Sequence, residues 1–226
     1  MLSPWRYELK LVCEADRLAQ ARSWVLVHPA GFMTAYPTRQ VNNIYFDTPA
    51  LDSLNANLSG VSPRQKLRLR WYGPSGGRVH PWVEVKAKEN MLGRKWRVRT
   101  AAPIDLTKPW PNILAVVRGA VPPECSAWAH GALQPALFNH YQRDYYWTHD
   151  RLIRATIDFA PYACDQRTSP RLSLAWPLPV EDYVVIELKA PPDGVDRLQE
   201  IAACFPVPRG KNSKYVKGLG AALASR

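Results

Sequence analysis

Basic residues recur at every second position along several short segments of this chain. Arg64, Lys66, Arg68 and Arg70 alternate with Gln65, Leu67, Leu69 and Trp71. Glu84, Lys86 and Lys88 oppose Val83, Val85 and Ala87, while Lys95, Arg97 and Arg99 oppose Trp96 and Val98. Arg6, Glu8 and Lys10 oppose Tyr7, Leu9 and Leu11. Arg154, Thr156 and Asp158 oppose Ala155 and Ile157, and Glu187 and Lys189 oppose Ile186 and Leu188. Strand side chains point to alternate faces, so each segment predicts a strand with one charged and one apolar face. A solvated sheet would mix Thr, Ser, Gln and Glu on its wet face. These faces instead carry Lys and Arg with single acids, and like charges on neighbouring strands repel. Such a surface suits a highly charged anion that neutralises it. Arg offers two parallel donors to a phosphate, and Lys a compact charge.

The isolated acids have two readings. Glu8, Glu84, Asp158 and Glu187 each sit on a cationic face, where they could serve as counter-ions. Alternatively, some hold a hard divalent cation, since Mg²⁺ or Mn²⁺ uses one or two carboxylates plus phosphate oxygens and waters. Glu187 is the strongest metal candidate, because it interrupts the otherwise apolar run VVIELK.

These residues need a sheet to hold them. Strands are predicted at 5–13, 41–46, 64–72, 81–88, 94–100, 136–148, 152–159 and 182–189. Helices are predicted at 15–28, around 51–58, around 113–118, at 195–203 and at 212–224. Short turns and about eight strands predict an α+β fold: a largely antiparallel closed barrel with helices packed outside. If the charged faces point inward, the helices at 15–28, 195–203 and 212–224 can cover the apolar exterior. The low-dielectric wall then strengthens attraction between the cationic lumen and phosphate.

Composition agrees with this picture. The 226 residues include 30 Lys and Arg against 19 Asp and Glu, a net charge of +11. Hydrophobic residues make up 46%, enough for a core, so a disordered basic tail is excluded. One domain over residues 1–226 is expected. No apolar run approaches the roughly 18 residues of a membrane span, and MLSPWRYELK lacks a signal-peptide core. A soluble cytoplasmic protein is the expectation. Cys13, Cys125, Cys164 and Cys204 are far apart, which argues against zinc and for isolated buried thiols. No Walker A loop and no Ser-His-Asp or Cys-His pairing is visible, and His140 and His149 read as loop or core histidines. A stacking surface for single-stranded nucleic acid is disfavoured, because Trp71 and Trp96 fall opposite the basic residues; only Trp82 shares their face.

The segments RYELK, IYFDTP, KLRLRWYG, VEVKAK, NHYQRDYY, RATID, VIELK and GKNSKY, in this order from about residue 5 to 220, resemble the VTC domain. This is the polyphosphate polymerase domain of the vacuolar transporter chaperone type, within the CYTH or triphosphate tunnel metalloenzyme superfamily. The resemblance implies a tunnel barrel whose Lys and Arg bind ATP, another triphosphate or inorganic polyphosphate, with a Glu holding Mn²⁺ or Mg²⁺. By motif it implies phosphate-handling roles for Lys10, Arg68, Arg70, Lys86, Arg143 and Arg154, and for Lys211 and Lys214 in the closing segment. Lys66, Lys88 and Lys189 join them as phosphate-binding candidates from their faces. Glu187 falls on the metal ligand, and Asp158 follows Arg154 as in the family's R-x-x-x-D pattern. The superfamily's first strand often reads E-x-E-x-K, but Arg6 stands in the place of the first Glu. That departure disfavours a two-carboxylate metal site on this strand and a simple hydrolase. The implied activity is polyphosphate synthesis from ATP. Tripolyphosphate or nucleoside triphosphate hydrolysis and a non-catalytic polyphosphate- or nucleic-acid-binding module are the alternatives.

Overall fold

The alternating segments form the strands of a closed barrel in a computed structural model that describes residues 2–121 and 131–225. Eight antiparallel strands close it: β1 (Arg6–Glu14), β2 (Phe32–Asp47), β3 (Arg64–Tyr72), β5 (Trp82–Glu89), β6 (Leu92–Arg99), β8 (Gln134–Thr148), β9 (Arg154–Asp165) and β10 (Tyr183–Ala190). Their order around the barrel is β1-β10-β9-β8-β2-β3-β5-β6. Two short strands, β4 (Arg78–Val79) and β7 (Ile104–Asp105), pair separately. The β5–β6 hairpin turns at Asn90, whose φ of +51° is a conformation Asn tolerates better than most residues.

Register decides which face is which. Lys66 lies opposite Lys86, and Lys86 opposite Lys95. Arg68 pairs with Glu84 and Tyr45, and Arg70 with Asn43. Lys10 pairs with Glu187, Glu187 with Thr156, and Thr156 with Tyr145. Residues directly opposite share a face, so the charged faces of all these strands are continuous and line the lumen.

The apolar faces are covered by helices. α1 (Leu18–Leu26) and α4 (Val195–Ala203) pack on β9, β10 and β1. There they bury Leu11, Ala155, Ile157, Ile186 and Leu188 with Val25, Leu198 and Ile201. α3 (Trp110–Ala120) joins Ile104 and Leu106 over Leu67, Leu69, Trp71, Val83 and Val85. Each such fully buried side chain contributes roughly 1.5–3 kcal/mol relative to exposure. α3 is longer than the six-residue helix predicted there, and Pro111 sits in its first turn, where a missing N–H costs nothing.

α2 (Asp52–Leu58) and α5 (Lys214–Ala224) do more than cover. They meet Tyr45 and Leu137, which are opposite one another in register, so α5 closes one end of the barrel. Gly218 permits the close approach: a Cβ there would stand 2.6 Å from Leu137 Cδ2. The Asp of IYFDTP ties the assembly together. Fully buried Asp47 accepts from the backbone N–H groups of Thr48, Ser53 and Leu54 and from the Tyr215 hydroxyl.

Among the described residues, no helix is long and apolar enough to cross a membrane. The thiols differ from expectation: Cys164 is buried, Cys13 half-buried and Cys204 exposed. Cys204 is the C-cap residue of α4. Cys125 lies outside the described residues.

Candidate active site

The lumen is a lattice of ion pairs. Glu187, near the middle of β10, meets Lys189 Nζ at 2.5 Å, Arg143 at 3.6 Å and Lys10 at 4.0 Å. Burial disfavours its charge, yet Lys189, Lys10, Lys86 and Arg143 hold its carboxyl well below the usual range. On the adjacent strand, Glu8 accepts from Lys86 at 2.7 Å and from Arg6 at 3.2 Å. Burial opposes that charge too, but Lys86 dominates the cations that bring Glu8 down to about 2.

Asp158 accepts two hydrogen bonds from Arg143, at 2.5 and 2.7 Å, and one from Lys214 at 2.5 Å. Glu84 accepts from both Arg68 Nε and Nη2, at 3.0 and 2.7 Å, and from Lys95 at 2.7 Å. Against the cost of burial, these partners hold both carboxyls far below their ordinary range. In this structure Asp158 and Glu84 therefore act as counter-ions.

The lysines show the opposite strain. Burial, reinforced by Lys86 and Lys10, pushes Lys66 down to about 6. Burial also brings Lys95 down to about 7, although Glu84 opposes it. Lys10, Lys88 and Lys189 are lowered as well, each mainly by burial. This cluster carries more positive charge than its own acids neutralise.

At the closed end, the segment before α5 is fastened to lumen lysines. Lys10 Nζ donates to the Asn212 carbonyl, and Lys66 Nζ donates to Ser213 Oγ at 2.8 Å. Ser213 also caps α5 by accepting from the Val216 N–H. The structure thus brings Lys10, Lys66, Arg68, Arg70, Lys86, Arg143, Lys189 and Lys214 into one lumen. Arg154 is placed opposite Lys189, with its guanidinium 5.4 Å from the Trp147 ring centroid. Lys88 sits opposite Arg64 on β3, and Lys211 is exposed.

Residues 5–223 match the VTC domain family. The chain belongs to that family. No curated protein matches it. Among solved structures, a Bacillus halodurans protein named as a candidate adenylate cyclase is 13% identical, with 94% of this chain and 95% of that chain covered and a TM-score of 0.55. A similarly named protein from Vibrio parahaemolyticus is 14% identical, with 93% and 95% covered and a TM-score of 0.51. A candidate adenylyl cyclase from Hippeastrum, described as having a dominant triphosphatase activity, is 14% identical, with 94% and 93% covered and a TM-score of 0.50. At these identities the likeness is one of fold, the triphosphate tunnel.

Whether this VTC domain can hold a metal turns on its acids. Among the described residues, no group of three or more His, Cys, Asp or Glu stands together. Glu8 and Glu187 do lie diagonally on adjacent strands, opposite Lys189 and Lys10, and the charge of Glu187 raises the proton affinity of Glu8. Two neighbouring carboxylates are an oxygen donor set that fits Mg²⁺ or Mn²⁺ once phosphate oxygens complete the shell. As at Glu84 and Asp158, oxygens of Glu8 and Glu187 are already met by Arg and Lys, so a metal at this pair would displace Arg6 and Lys86 from Glu8 or Lys189 from Glu187.

Several lumen groups of the VTC domain were not singled out by sequence. Lys95 was on a charged face, but nothing in the pattern marked its bond to Glu84. Tyr141 and Asn43 contact Arg70, accepting from Nη2 at 3.0 Å and from Nε at 2.8 Å. His140 stacks on Tyr162 with centroids 4.6 Å apart, and His149 is exposed in a turn. Trp71 is buried in the outer core and half-buried Trp96 packs against it, both on the face opposite the basic residues.

Proposed function

We propose that this VTC domain transfers the γ-phosphoryl of ATP to phosphate or polyphosphate inside the barrel. One observation carries the reading: all four acids on the charged faces are held by cations. Arg6 and Lys86 hold Glu8, Lys189 and Arg143 hold Glu187, Arg143 and Lys214 hold Asp158, and Arg68 and Lys95 hold Glu84. None is poised to take a proton from water. A phosphate acceptor is already ionised at neutral pH and needs no general base, whereas water does. Phosphoryl transfer then depends on alignment and charge neutralisation.

In this reading Lys10, Lys66, Arg68, Arg70, Lys86 and Arg143 align donor and acceptor phosphates along the lumen, with Lys189 and Lys214 beside them. Arg154, Lys88 and Lys211 extend the positive field beyond that central set. Glu187 and Glu8 would hold the divalent cation, which supplies charge neutralisation at phosphate oxygens when bound. Arg6 keeps Glu8 paired where the superfamily's E-x-E-x-K pattern has a further Glu, which favours transfer over hydrolysis.

Hydrolysis of a triphosphate is the second reading, favoured by the triphosphatase activity described for the Hippeastrum protein. The lumen residues would serve both reactions. Incubation with ATP and Mn²⁺, followed by gel analysis, separates them. A ladder of long polyphosphate supports the transferase; phosphate release without polymer replaces it with a hydrolase. Tight tripolyphosphate binding with neither product reduces the domain to a binding module.

A further inference from the structure

At the end of the lumen away from α5, β2 carries an aromatic and cationic cluster that the phosphate chemistry does not use. Tyr36 lies opposite Tyr145 of β8, and Arg39 lies opposite Arg143. The register shifts on both sides of Tyr36: from Thr34 to Arg39 β2 advances five positions while β8 advances three, from Tyr146 to Arg143. Pro37, which has no N–H to give the ladder, sits in this bulge. A bulge of this kind re-aims the side chains around it.

The Arg39 guanidinium carbon lies 4.8 Å from the Tyr36 ring centroid, 5.8 Å from that of Tyr145 and 6.0 Å from that of Tyr72. Among the described residues Arg39 has no carboxylate partner. Tyr36 and Tyr72 are 50% and 44% exposed, an unusual display of ring surface at one opening. The Tyr145 hydroxyl is buried without a hydrogen-bond partner. A phosphate chain alone would need the guanidinium and none of the rings. A planar heterocycle attached to phosphates would use both, because bases stack on Tyr rings and on guanidinium planes.

We propose that this opening is a base-binding subsite. The base of a nucleoside triphosphate seats against Tyr36, Tyr72 and Arg39, and its phosphates run inward past Arg143 and Arg70. The Tyr145 hydroxyl meets the polar edge of the base or the ribose. The inference rests on the proposed reading that the lumen takes ATP, and it names the residues of this chain that hold the base.

Calorimetric titration with ATP in metal-free buffer, and separately with tripolyphosphate, tests it. Tyr72→Ala is expected to weaken ATP about tenfold while tripolyphosphate stays within about twofold of wild type. Tyr36→Ala moves the same way, and Tyr72→Phe, which keeps the ring, retains wild-type ATP affinity. Equal losses for both ligands would mean that the opening serves phosphate alone, and no loss for either would mean that it binds nothing; both overturn the subsite. If the wild-type domain binds tripolyphosphate no better than chloride, the triphosphate reading of the lumen itself fails.

Discussion

Lys66 makes anion binding to this lumen a proton-coupled event. Its ammonium is pushed down to about 6, chiefly by burial and then by Lys86, Lys10, Arg64 and Arg68. A phosphate beside it reverses that penalty and restores the charged form. At pH 8 only about 1% of Lys66 is charged before binding, and charging it costs about 2.7 kcal/mol, two units at about 1.36 kcal/mol each. At pH 6 half is already charged and most of the cost is gone. Affinity therefore rises as pH falls from 8 to 6, by about fiftyfold from Lys66 alone, and levels off below its pKa. Lys95, brought down to about 7, adds in the same direction. The assay is calorimetry of metal-free ATP at pH 8 in two buffers of different ionisation enthalpy. The γ-phosphate is already ionised there, since such groups titrate near about 6. The expected uptake is at least about one proton per ATP, reduced by about one in Lys66→Met. Zero uptake in the wild type, or an uptake unchanged in Lys66→Met, refutes the reasoning.

Other perturbations read different parts of the barrel. Replacing Arg70 with Ala, which removes a buried cation bonded to Asn43 and Tyr141, is expected to weaken tripolyphosphate binding by about tenfold or more, the scale of a charge-assisted bond; wild-type affinity would sink the inward-facing assignment. Glu187→Gln is expected to abolish metal-dependent turnover of ATP with the circular dichroism spectrum unchanged, and unaltered turnover would remove Glu187 from the mechanism. Asp47→Ala strands two buried helix N–H groups and the Tyr215 hydroxyl. It should cost about 3 kcal/mol or more in chemical denaturation, at roughly 1–3 kcal/mol per buried unsatisfied group.

The barrel was legible because its strands alternate so strictly. Arg64 to Tyr72 shows a period of two without interruption, and the register places it as that period demands. The helix at 195–203 appears at the same bounds in the structure, where Leu198 and Ile201 face the core. β2 was less legible. Pro37 and the polar run around it break the alternation, so the pattern predicts the strand only from Val41 and leaves Arg39 outside it. The site was partly legible for a different reason. Periodicity shows which residues share a face, but it cannot show which acid meets which base across strands distant in sequence. Glu8 with Lys86, and Asp158 with Lys214, are contacts between elements whose adjacency only the closed barrel creates. IYFDTP could be read as a motif but not as a brace, because the Tyr215 hydroxyl that completes it comes 168 positions later.

The paired acids of the lumen have a further consequence. They are counter-ions covalently attached to the wall. A polyanion binding to bare surface charge competes with dissolved ions, so its affinity drops steeply as salt is added. Here the incoming phosphates trade places with dissolved ions at the excess cations but with carboxylates that cannot diffuse away at the paired ones. The barrel works as an ion exchanger with part of its electrolyte fixed inside, and its grip on a phosphate chain should depend on salt less than the number of its lumen cations suggests.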